Sequence, residues 1–160
     1  MSAVRPRIDP MIQWSEIASD APDFAGRVRA AFDAGTNKTI ATIRADGSPR
    51  ISGTELSFDG GRVTLGMMPG SRKLADVRRD PRVAVHSPTL EPPAGSLGAG
   101  DAKLAGRLAE FVPEQNPVPG AAHFEVDLTE VALTSLNAAG DRLVIESWHP
   151  GRGYERVERE

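Results

Sequence analysis

Arg62-Val63-Thr64-Leu65-Gly66-Met67 alternates like a strand, and Gly70-Ser71-Arg72-Lys73-Leu74-Ala75 opens what reads as a short helix. Leu74 and Val77 are spaced to share one helical face. Asp80-Pro81 ends the run, and Arg82-Val83-Ala84-Val85-His86 returns to a period of two. Ser71 stands at the expected N-cap, which puts Arg72 and Lys73 in the first helical turn. Cations are disfavoured at that end by about 0.3–1 kcal/mol each, because the helix dipole is positive there. Free backbone N–H groups and two cations at one helix start fit a bound anion, and a phosphate is the natural candidate.

Working outward, the same period-two pattern recurs. Thr39-Ile40-Ala41-Thr42-Ile43-Arg44 is β-branched and strand-like, and Asp46-Gly47 is a hairpin turn signal. A partner strand is expected over 50–58, with Asp59-Gly60-Gly61 turning the chain again. Alternation places Arg50, Ser52, Thr54 and Leu56 on one face and Ile51, Gly53 and Glu55 on the other. Further strands are expected over 102–112, 124–136 and 142–148, with Ala139-Gly140-Asp141 as a turn. Residues 88–101 hold three prolines and three glycines and read as a loop. Before the strands, residues 1–19 read as an arm with one helical turn. Asp20 is the expected cap of a helix carrying the stripe Phe24, Val28, Ala31 and Phe32, with Gly35 closing it. Six or seven antiparallel strands in so short a chain predict a mainly β, α+β domain. Its architecture is a closed barrel with an N-terminal helix and one short inserted helix. The arm and helix over 1–35 and the barrel over 36–160 are expected to form one domain.

The bulk properties narrow the possibilities. The chain has 160 residues, 39% of them hydrophobic, enough for one core. Nineteen Lys and Arg against 22 Asp and Glu give a net charge of −3, which argues against nucleic acid as a partner. Without cysteine there is no thiolate chemistry and no disulfide. The sequence shows no apolar run of membrane-spanning length and no signal peptide, so a cytoplasmic protein is expected. His86, His123 and His149 lack metal-ligand spacing, and no metal is expected. No Ser-His-Asp set, His-Glu-x-x-His run or Walker loop is present, and no catalytic residue is named from the sequence.

The Asp-Gly hairpin, Ser48-Pro49-Arg50-Ile51-Ser52, the Gly-rich turn, and Gly70-Ser71-Arg72-Lys73-Leu74-Ala75 with Arg79-Asp80-Pro81-Arg82-Val83 together resemble the pyridoxamine 5′-phosphate oxidase-like split β-barrel flavoproteins. That superfamily includes the flavin and deazaflavin oxidoreductases. The resemblance covers 36–90 and continues to Glu146-Ser147-Trp148-His149-Pro150-Gly151-Arg152-Gly153, which looks like the closing Trp strand. It implies a homodimer with FMN in a groove between subunits and a small organic molecule as hydride donor or acceptor. By position, Ser71, Arg72 and Lys73 would hold the phosphate. Arg50, Ser52, Gly53 and Thr54 would line the ring, Met67 and Met68 would stand at the mouth, and His86, Ser87 and Trp148 would complete the site. The tail lacks the Arg-x-His motif of the true pyridoxamine phosphate oxidases, so vitamin B6 oxidation is not implied.

Two alternatives stay open. The deazaflavin coenzyme F-420 could replace FMN, its charged tail reaching Arg78 or Arg79. The barrel could instead be a non-catalytic haem- or flavin-binding module, with His86 or His149 as an axial ligand. Bland readings stand beside the sharp ones: Arg50 as an exposed charge near Asp46 or Glu55, and Trp148 as a core or interface aromatic.

Overall fold

A computed structural model describes residues 10–160; the expected arm over 1–9 lies outside the described residues. In chain order the elements are α1 (Trp14–Asp20), α2 (Pro22–Asp33), β1 (Lys38–Ile43), β2 (Pro49–Thr54), a 3-10 turn (Asp59–Gly61), β3 (Thr64–Met67), α3 (Arg72–Arg79), β4 (Arg82–His86), β5 (Asp101–Phe111), β6 (Ala122–Leu136), β7 (Leu143–His149) and β8 (Gly153–Arg159). All strand pairings are antiparallel.

The length of β6 organises the sheet. Its 15 residues pair with β5 along one edge. On the other edge, Ala122–Glu125 takes β3 and Val131–Leu136 takes β7. One branch runs β6–β3 and returns through the Ser57↔Thr64 bridge to the segment after β2, so β2, β1, β4, β5, β6 and β3 close a barrel. The other branch continues as the β7–β8 hairpin. This is a split barrel, as expected, but with eight strands.

The extra strand is β8. Its sequence, Gly-Tyr-Glu-Arg-Val-Glu-Arg, is exposed along almost its whole length and shows no apolar alternation. Pairing with β7 alone makes it a strand, and its charges suit an unpaired edge. Two strand limits also differ from expectation. β2 ends at Thr54 rather than continuing to 58, and β3 starts at Thr64 rather than 62.

One buried cluster contains inward side chains of the strands, among them Ile40, Leu65, Val85, Leu104 and Leu128, together with Ile17, Phe24, Val28 and Phe32 of the helices. The expected stripe on α2 is thus the face that packs, with Ala31 at its margin. Phe58 joins the layers, with its ring 4.9 Å from that of Trp14 and 5.6 Å from that of Phe32. Asp20 does not cap α2: it is the last residue of α1, and Ala21 stands at the cap. Its carboxylate instead accepts a 2.8 Å hydrogen bond from Trp148 Nε1. Gly35 follows α2 without a left-handed conformation, and its missing side chain makes room for Pro88. Glu146 of β7 is buried, takes both terminal nitrogens of Arg27 at 2.6 Å, and accepts the Tyr154 hydroxyl at 2.6 Å. The Arg27 hydrogen bonds hold the Glu146 carboxyl below its usual range against the effect of burial. The C-terminal hairpin is therefore clamped to α1 and α2 by polar contacts on top of the shared core.

Close backbone packing appears where β5 shifts register between Ala105 and Gly106. A Cβ at Gly106 would stand 2.1 Å from the Asp127 carbonyl oxygen, whereas one at Gly26, inside α2, would meet nothing within 4 Å. Urea unfolding should therefore show Gly106→Ala less stable by about 3 kcal/mol and Gly26→Ala more stable by about 0.5–1 kcal/mol.

Candidate functional site

The inserted helix α3 carries Arg72, Lys73, Arg78 and Arg79 and a single acid, Asp76. Asp76 is 3% exposed and turned toward β1 and β2. Its Oδ2 accepts from the Thr42 hydroxyl at 2.8 Å and from Arg50 Nε at 2.7 Å, and its Oδ1 accepts from Arg79 at 3.1 Å. Arg79 also donates to the Ile43 carbonyl at 3.1 Å. A buried carboxylate with this many donors is fully satisfied. The Arg50 hydrogen bond first, with Thr42 and Arg79 adding to it, keeps the Asp76 carboxyl below its ordinary 3.8 despite burial. Arg50 thus faces inward, and its partner is neither Asp46 nor Glu55. Asp46 instead folds back on Ser48, accepting from its N–H at 2.9 Å and its hydroxyl at 2.5 Å.

With α3 held against β1 and β2, its first turn meets β2. Lys73 Nζ donates to the Gly53 carbonyl at 2.5 Å. Burial pushes the Lys73 ammonium below its usual pKa, with no acid supplying compensation. Arg72 is exposed and has no ion pair or hydrogen bond among the described residues. Ser71 occupies the N-cap position, yet its hydroxyl makes no capping bond. Its Oγ and that of Ser52 on β2 are both buried atoms without a partner. By helix geometry the N–H groups of residues 72–74 have no intrahelical acceptor. The corner thus offers two unsatisfied hydroxyls, free amides and two cations, a donor set suited to a phosphate. Gly53 is exposed, and a Cβ there would meet nothing within 4 Å, so a flat group can approach that backbone.

The remaining candidates are placed differently. Met67 is 2% exposed and fills the core instead of standing at a mouth, because it is an inward position of β3; Met68, 59% exposed, does stand at the surface. Ser87 is buried, and its hydroxyl accepts the Ala102 N–H at 3.0 Å, tying the end of β4 to β5. His86 Nδ1 lies 2.7 Å from the Ser87 carbonyl. Thr54 donates to the Glu55 carbonyl at 3.2 Å. Trp148 is buried in the clamp with Asp20. His149 bonds Glu130 at 3.0 Å. A concavity of about 360 Å³ under the 88–101 loop, against Ala30, Ala31 and Ala34, contains none of the candidate residues. Among the described residues no cluster of His, Cys, Asp or Glu could hold a metal ion, and no helix is long and apolar enough to cross a membrane.

Sequence reading missed Asp76. One signal was present: Thr42 shares the inward face of β1 with Ile40, which marks a polar group that must find a partner once buried.

No protein-family model and no curated protein matches the sequence. Solved structures do match. PhzG from Burkholderia lata 383, solved with tetrahydrophenazine-1-carboxylic acid, is 11% identical over 96% of this chain and 98% of its own, with a TM-score of 0.66. A pyridoxamine 5′-phosphate oxidase-related FMN-binding protein from Nostoc punctiforme PCC 73102 is 10% identical over 88% and 96%, with a TM-score of 0.61. An F-420 reductase is 16% identical over 63% and 92%, with a TM-score of 0.51. The chain has the pyridoxamine 5′-phosphate oxidase-like split-barrel fold. Proteins built on it include flavin- and deazaflavin-associated ones.

Because the native pKa of Asp76 lies below its unfolded value, its stabilising contribution is complete above about pH 4 and is lost as pH falls through the native value. Asp76→Ala should cost about 3 kcal/mol at pH 7, allowing for the partial exposure of Arg50. In urea titrations the gap between wild type and variant should narrow steadily below pH 4.

Proposed function

We propose that this chain is an FMN-binding oxidoreductase that exchanges a hydride with a small organic substrate. The reading rests on one observation: the hydroxyls of Ser52 and Ser71 are buried without partners at the α3 corner, where Arg72 is free and Lys73 lacks a counter-ion. A phosphomonoester would satisfy the hydroxyls and the exposed amides and neutralise both cations. Arg50 positions this corner through Asp76, and the open backbone at Gly53 would accommodate a ring. When bound, FMN would supply the two-electron chemistry, while the chain binds, orients and excludes water.

Charge pairing favours FMN over the deazaflavin coenzyme. A long anionic tail would need cations beyond the first turn of α3. There Arg78 is paired with Glu110 at 2.7 Å, Arg79 with Asp76 at 3.1 Å and Arg82 with Asp80 at 2.7 Å. Arg82 holds the Asp80 carboxyl down at about 2, so that pair persists at neutral pH.

The same reading includes a homodimer that covers the cofactor. Its support is the outward face of the sheet. The registers β2–β1, β1–β4 and β4–β5 line up Ile51, Ala41, Ala84 and Ala105 in one row. Ile51 is 73% exposed at the end of this flat, small-residue strip. A second copy is an economical cover for it.

FMN added to the purified chain should bind with quenched flavin fluorescence. Arg72→Ala should weaken binding about 10- to 100-fold, and Arg78→Ala should leave it unchanged. Absence of FMN binding, or tighter binding of coenzyme F-420, would overturn the choice of cofactor. In sedimentation, Ile51→Asp should shift a dimer to monomer without loss of folded signal; an unchanged mass would remove the dimer from the reading.

A further inference from the structure

His123 projects from the outward face of β6, away from the buried residues Ala122 and Phe124 on either side of it. Three shallow concavities, of 170, 210 and 230 Å³, each include it in their lining. Met68 and Val118 make the first mainly apolar and Val112 and Pro113 line the second, while the third mixes Leu56 with Ser57 and Thr64. Glu110 and Glu55 stand at the second and third. Phe111 flanks the imidazole with ring centres 6.2 Å apart, and Arg62 lies over the far ring at 5.4 Å.

The hydrogen bonds around the ring fix its tautomer. Asn116 Nδ2 donates to the Ala121 carbonyl at 3.0 Å, and a carbonyl can only accept. The Asn116 amide oxygen therefore faces His123 Nε2, at 3.2 Å, and Nε2 must carry the hydrogen. In the neutral ring, Nδ1 is then left as a lone-pair acceptor. Nδ1 has no hydrogen-bond partner among the described residues. Across the β3–β6 pair stands Gly66, exposed, where a Cβ would lie 3.7 Å from both Nδ1 and Cε1. The missing side chain leaves that edge of the imidazole open to two of the concavities.

We infer that the groove centred on His123 and Gly66 is a binding site for a small apolar or aromatic molecule bearing an O–H or N–H group, which donates its hydrogen bond to His123 Nδ1. Asn116 is a positioning residue that holds the imidazole in the accepting tautomer, and Gly66 is the gap through which the donor reaches it. The groove adjoins the α3 corner at Met68 but uses neither Arg72 nor Lys73, so Arg72→Ala, which weakens binding at that corner, leaves the Nδ1 response of this site intact.

The test uses 15N-histidine-labelled full chain with 2-naphthol as probe and 2-methoxynaphthalene, which keeps the apolar body and lacks the donor, as comparison. With the imidazole in its neutral form, the free protein should show His123 protonated on Nε2 and bare on Nδ1, and Asn116→Ala should give a tautomer mixture. 2-Naphthol should move the Nδ1 resonance and bind about three- to tenfold tighter than its methyl ether. Gly66→Val, which suits a strand and closes the gap, should abolish the Nδ1 shift in a protein that remains folded. An Nδ1–H tautomer, equal binding of the two probes, or an Nδ1 resonance unmoved by saturating 2-naphthol would overturn the inference. So would concentration-dependent His123 shifts without probe, which would show a second copy of the chain covering the groove.

Discussion

The buried carboxylate of Asp76 is the contact on which the rest of this architecture depends. Four of the eight residues of α3 are cationic, and the helix lies against two strands that bring a fifth cation, Arg50. Packed together without an internal anion, these charges would repel one another in a poorly solvated setting. Asp76 reverses the sign of that encounter. It takes Arg50 from β2, Thr42 from β1 and Arg79 from its own helix, so three elements converge on two oxygens. It also sorts the cations. Arg50 and Arg79 are committed to the fold, while Arg72 and Lys73 at the other end of α3 remain unneutralised. A structural carboxylate thereby defines which charges of α3 stay unpaired among the described residues.

Much of this was legible in the residues, for identifiable reasons. The stripe on α2 and the strands β1, β4, β5, β6 and β7 follow from simple periodicities, since each buries one face. The Asp-Gly turn and the Arg-Lys pair at the start of α3 are local signals and fall where they were read. What was not legible depends on partners far away in the chain. β8 has no apolar face and exists through its neighbour. Asp20, read as a helix cap, is claimed by Trp148 across 128 positions. Met67 and Ser87 were placed at the site by position within the family resemblance, which does not say which face of this barrel is packed. The Asp76 network joins residues up to 34 positions apart, and no motif encodes it.

The polar contacts of the C-terminal hairpin complement those around α3. Arg27, Glu146 and Tyr154 form a closed set, and Asp20 with Trp148 a second, both linking the N-terminal helices to β7 and β8. The one buried acid of these sets, Glu146, has both a basic and a hydroxyl partner, as burial of charge requires, and the exposed Asp20 takes the Trp148 indole N–H. Three buried side-chain atoms have no partner among the described residues: the hydroxyls of Ser52 and Ser71 beside α3, and His149 Nδ1 at the end of β7.

The forked edge of β6 has an evolutionary consequence. Ala122–Glu125 of that strand takes β3 and Val131–Leu136 takes β7, so the two branches leave the same edge at separate places. Insertions or sequence drift in the β7–β8 branch can be absorbed beyond the fork without moving the strands that frame α3. A scaffold built this way lets one half of the molecule diversify while the other keeps its geometry, a plausible route by which structures only about a tenth identical retain one chain path.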